Sequence, residues 1–114
     1  MKKFLVLYTS SVSAVEQMSK VSPEQAKAGM DLWMSWAKQA AKSILDMGAP
    51  LGNAVRVAPE SVRPSETKIT GFSILQGESI KAVGESLKNH PHFKAPGASI
   101  EVLEFLSMPG MSQG

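Results

Sequence analysis

The order of hydrophobic periods constrains this chain more than any motif does. A strand, a long amphipathic helix, two strands, a short helix and a last strand follow one another between residues 3 and 106. Period-2 alternation and the 3.6-residue helical period are different burial geometries, so their order is an architecture.

Lys3–Thr9 alternates Phe4, Val6 and Tyr8 with Leu5 and Leu7, which predicts a central strand apolar on both faces. Residues 10–21 are serine-rich and carry Val12, Val15 and Met18 at helical spacing, a short turn of helix inside a long connection. Ser22 is a good N-cap, Pro23 suits the first helical position, and Gln25 completes a capping box. From there a helix is expected to about Met47, with Ala26, Met30, Trp33, Ala37, Ala40, Ala41 and Ile44 in one stripe that packs on a sheet. Gly48 reads as its C-terminal cap and Pro50 as its stop.

Asn53–Ala58 reads as the second strand, Pro59–Thr67 as a turn region, and Lys68–Gln76 as a third strand, again apolar on both faces and expected beside the first. Ser79 caps a short helix bearing Ile80, Val83, Gly84 and Leu87, which ends by Asn89. Ser99–Leu106 is the final strand. The division expected is one domain over 1–107 with a loose tail over 108–114.

This β-α-β-β-α-β order is the split βαβ, or ferredoxin-like, pattern of the α+β class: an antiparallel four-stranded sheet with both helices on one face. The chain itself then leaves one sheet face bare, although three strands are apolar on both sides. A second copy of the same sheet is the simplest cover, so a homodimer packed face to face is expected.

Several segments, taken in order, resemble YCII-related proteins of the dimeric α+β barrel superfamily. They are Trp33-Met34-Ser35-Trp36, Asp46-Met47-Gly48-Ala49-Pro50-Leu51-Gly52, Thr70-Gly71-Phe72-Ser73-Ile74, His90-Pro91-His92 and Ser99-Ile100-Glu101-Val102. The resemblance implies a bacterial origin, a ferredoxin-like protomer, a dimer and a pocket beside the sheet. It also implies, for some members, a catalytic pair of a histidine near the first strand and an aspartate on the first helix. Asp31 lies on the matching helix, on its polar side, whereas no histidine precedes His90. The Asp-Gly-Pro-Phe motif of a sister group is absent.

The chemistry that the residues themselves offer is sparse. Without cysteine there is no thiol nucleophile, thiolate metal site or disulfide, which fits a reducing compartment such as the cytoplasm. A net charge of +2 with scattered lysines gives no nucleic-acid patch, and no apolar run reaches the roughly 20 residues of a membrane span. His90 and His92 are the only imidazoles, either solvated residues at a helix exit or a general base. No third ligand stands beside them, so neither a metal nor a cofactor is expected.

Trp33 and Trp36 share one side of the long helix, where Tyr8 meets them if its strand face looks toward the helices; such a cluster either forms core or stacks a flat ligand. Arg56 is an anion contact or protection of a strand edge. The leading reading is a small-molecule pocket, lined by Tyr8, Trp33, Trp36 and Phe72 with Arg56, Asp31 or His92 as polar groups. If it is catalytic, His92 is the base of a proton transfer or water addition. The alternative is a non-catalytic dimeric accessory protein.

Overall fold

A computed structural model describes residues 1–109 of the chain. Four strands form the main sheet: β1 (Lys2–Thr9), β2 (Ile44–Pro50), β5 (Ile69–Gly77) and β6 (Ser99–Glu104), in the order β2-β5-β1-β6 and antiparallel throughout. This is the ferredoxin-like arrangement. Strands β3 (Val55–Ala58) and β4 (Ser61–Pro64) pair only with each other, as a separate ribbon. The expected tail over 108–114 lies, for residues 110–114, outside the described residues.

Three helices accompany the sheet: α1 (Ala14–Lys20), α2 (Pro23–Gln39) and α3 (Ile80–Ser86). Their starts follow local chemistry. Ser13, Ser22 and Ser79 each accept a backbone N–H three residues on, and Gln25 returns the bond to Ser22 to close the capping box. A single 3-10 turn, Pro91–Lys94, precedes β6.

Phe4, Val6 and Tyr8 of β1 are fully buried beneath the helices, with Leu75 of β5 and Val83 and Leu87 from the α3 segment. Residues opposite one another in a ladder share a face. The other sheet face therefore carries Leu5, Leu7, Phe72, Ile74 and Leu103, paired as Leu5 with Ile74 and Leu103, and Leu7 with Phe72. These five side chains are half-buried or exposed, and among the described residues no helix covers that side.

Three expectations are corrected. The long helix ends at Gln39 instead of Met47: Ala40 donates the last helical bond to Trp36, and a turn over residues 40–43 leads directly into β2. The local alanines favour helix, but the free edge of β5 takes Ile44–Pro50 as a partner, beginning with Gln76 N–H to the Ser43 carbonyl. Gly48 is thus no helix cap; it sits in an irregularity of β2 at φ +80°, with its N–H held by Asp46 Oδ1 at 2.8 Å. Val55–Ala58, expected in the main sheet, instead forms the ribbon, and its partner β4 comes from the segment expected to be a turn. Finally, the apolar stripe of α2 reaches the sheet only in part: Trp33 and Trp36 pack against the core that Tyr8 belongs to, whereas Met30 is exposed. None of its residues is fully buried, and its closest packing is on the Pro91–Lys94 turn.

Candidate functional site

Beside the point where Trp33 and Trp36 bring α2 onto the core, a cleft of about 590 Å³ opens between α1, α2 and the β2–β5 side of the sheet. Its walls are mostly apolar. Met18, Met30, Met34 and Met47 contribute soft, adaptable surface, and Ala26, Gly29 and Gly71 leave room between them. Tyr8, Trp33 and His92 also line it, with Phe72 at its border on β5 and Gln17, Gln25 and Thr70 as further polar residues. Among the described residues no Asp, Glu, Lys or Arg lines the cleft.

His92 is 7% exposed, and its Nε2 lies 2.7 Å from the carbonyl oxygen of Thr9 at the end of β1. A carbonyl only accepts, so Nε2 carries the hydrogen and donates. In the neutral ring Nδ1 is then the basic nitrogen, held by a ring that the backbone orients.

Tyr8 is fixed in a similar way. Ser73 Oγ donates its one proton to the Met47 carbonyl at 2.7 Å, so the Tyr8 hydroxyl must donate to Ser73 Oγ at 2.8 Å. Burial pushes the phenol up to about 12. Tyr8 therefore stays neutral, its oxygen still able to accept.

Behind this wall the rings interlock. Tyr8 meets Trp33 edge-on at 5.0 Å between centroids, and Trp33 meets Trp36 at 6.2 Å. His90 fills the space between them, 4.8 Å from Tyr8, 4.5 Å from Trp33 and 4.3 Å from Trp36. It is 2% exposed, and its Nδ1 accepts the His92 backbone N–H at 2.9 Å. Its proton is therefore on Nε2, which is buried without a hydrogen-bond partner, an arrangement that costs about 1–3 kcal/mol. Burial first, and the charge of His92 second, push the His90 imidazole down to about 4.

The structure thus brings Tyr8, Trp33 and His92 to one cleft, whereas Phe72 borders it from β5 with its side chain on the opposite sheet face, across from Leu7. Trp36 lies in the ring cluster behind it, half-buried. Asp31 is exposed on α2 and Arg56 is exposed on the ribbon; neither reaches the cleft. Sequence reasoning did not single out Ser73, whose role depends on pairing across β1 and β5, or the Thr9 carbonyl. Met30 and Met34, which stand one helical turn apart on the side of α2 facing the cleft, carry no sequence signal that separates lining from packing. Among the described residues no group of three His, Asp or Glu gathers as a metal site, and no helix is long and apolar enough to cross a membrane.

No family model and no curated protein matches the chain. Among solved structures it is similar to 5-chloro-2-hydroxyhydroquinone dehydrochlorinase from Burkholderia phenoliruptrix AC1100, in complex with 2,5-dihydroxybenzoquinone. The two share 17% sequence identity over 94% of this chain and 96% of that one, with a TM-score of 0.50. At this identity the likeness is one of fold.

Proposed function

We propose that the cleft binds a flat, uncharged aromatic compound bearing a hydroxyl group, and that His92 Nδ1 takes the hydroxyl proton as a general base. The observation that carries this is the lining: apolar and aromatic walls, no charged side chain, and one oriented imidazole. A carboxylate or phosphate would lose its hydration there with no cation to replace it, whereas a neutral ring gains stacking on Trp33 and contact with the methionines. The ligand of the structural neighbour, an oxygenated ring, belongs to a similar class; it guides the choice of probe and assigns no residue. In this reading Asp31 and Arg56 take no direct part.

Tryptophan fluorescence tests the proposal, because Trp33 is in the wall. 2-Chlorohydroquinone should quench it with a Kd of about 10–100 μM, a plausible yield for so few ligand atoms. 4-Chlorobenzoate, of similar size but charged, should bind at least tenfold more weakly. His92→Phe, which keeps a ring and removes the acceptor, should weaken the phenol about tenfold, or ~1.4 kcal/mol. Equal binding of both compounds, or an indifferent His92→Phe variant, overturns the reading.

We further assign the chain to the YCII-related proteins, with the bacterial cytoplasm as its setting, a placement that a cysteine-free sequence agrees with. The homodimer belongs to the same proposal. Its support is the uncovered sheet face bearing Leu5, Leu7, Phe72, Ile74 and Leu103, an apolar surface that water disfavours. Sedimentation at micromolar concentration should give twice the chain mass, and Leu5→Glu with Ile74→Lys should give single chains. A monomer in the unsubstituted protein rules the dimer out. The accessory-protein alternative gains ground only if the dimer is found and both probes fail to bind.

A further inference from the structure

We propose that His90 is a positioning residue, through which the turn that carries His92 and the helix that forms the opposite wall of the cleft are held by one ring. The proposal rests on the reading of the cleft as a ligand site with His92 as its base.

Two requirements meet at this position. The turn Pro91–Lys94 needs a cap, and the His90 side chain supplies it by accepting the His92 N–H at 2.9 Å. Asparagine or serine would do this equally well. The space between Trp33, Trp36 and Tyr8 needs a flat filler, and the His90 ring supplies that with centroid distances of 4.3 to 4.8 Å. Phenylalanine would do that. A neutral imidazole combines both functions in one planar side chain, with an acceptor at Nδ1. The burial of Nε2 without a partner is what this combination leaves behind.

The mechanical consequence follows from how α2 is held. None of its residues is fully buried, and it packs most closely on the turn that His90 begins. The stance of α2, hence the width of the cleft, is therefore set by Trp33 and Trp36 against His90, together with Trp33 against Tyr8. The same residue holds the backbone of His92, whose ring donates to the Thr9 carbonyl. Among the described residues the titratable groups that face His90 are Tyr8, by ring contact, and His92, by its N–H and its charge.

Two substitutions separate the functions. His90→Asn keeps the cap and empties the slot: the His92 ring should retain its Nε2–H form, seen in its side-chain 15N resonances, while 2-chlorohydroquinone binds about tenfold more weakly and tryptophan emission shifts to the red. His90→Phe keeps the slot filled and removes the cap: emission should remain as in the unsubstituted protein, while the His92 15N pattern changes to a mixture of tautomers. The unsubstituted protein gives a check that needs no variant, since His90 must be Nε2-protonated and show no titration near pH 6.5.

The NMR and emission readouts need no ligand, so they decide the role of His90 even where the probe fails to bind and the cleft assignment falls. If both variants leave the His92 resonances, the emission and any probe affinity unchanged, the proposal is wrong. An ordinary titration of His90 near pH 6.5 overturns it as well, including where neither variant folds.

Discussion

Gly48→Ala is expected to lower the stability of the chain by about 3 kcal/mol or more, measured as a shift in the urea midpoint at unchanged slope. Two effects add. At φ +80° an alanine meets its own backbone, which costs roughly 1–2 kcal/mol. Its Cβ would also land on the carbonyl oxygen of Phe72 and lie 2.6 Å from the carbonyl carbon. That obstacle is backbone of the neighbouring strand, which gives way only by opening the β2–β5 pairing, so overpacking adds roughly another 1–3 kcal/mol. Small domains commonly have about 5–15 kcal/mol in total. Since β2 forms one wall of the cleft, probe binding should fall with it. Gly29→Ala is the contrasting case: its Cβ would meet nothing within 4 Å, so the fold should tolerate it.

The second large effect is a loss of stability on acidification that originates at His90. Folded His90 takes a proton only near pH 4, whereas in the unfolded chain it does so near pH 6.5. Between those values the unfolded state binds more protons, so this contribution is complete above pH 6.5 and is lost as the pH falls toward 4. The full difference is roughly 3 kcal/mol. Denaturant titrations at a series of pH values should show the slope, and His90→Phe should remove most of it. Parallel pH profiles for the two proteins contradict the assignment of a buried neutral imidazole.

The elements legible in the sequence were those whose signal is local. β1 and β5 carry apolar residues on both faces because both are central strands, and their alternation shows it directly. Ser22, Gln25 and Ser79 make the caps that their spacing predicts. What stayed hidden depends on distant partners. Nothing near Ala40 and Ala41 announces that the helix has ended, because the reason is an unpaired edge on β5, thirty residues on. The ribbon was half visible: Val55 and Val57 alternate with Arg56, but its second strand includes Arg63 and Pro64 and reads as turn.

The site shows the same division. Tyr8 and Trp33 converge because one lies on the helix-facing side of a strand and the other on the stripe of a helix, both inferable from periodicity. Asp31 and Arg56 lie on outward-facing, exposed positions, where helix phase and strand alternation also place them. The orientation of His92 was not inferable, because it depends on a carbonyl 83 residues away.

A crystal structure of the protein with 2-chlorohydroquinone tests the central claim most directly. The account predicts the ring in the cleft against Trp33, with one hydroxyl about 2.6–3.0 Å from Nδ1 of His92 and Nε2 still on the Thr9 carbonyl. A ring bound elsewhere, or a hydroxyl that pairs with some other group while His92 Nδ1 faces away, contradicts it.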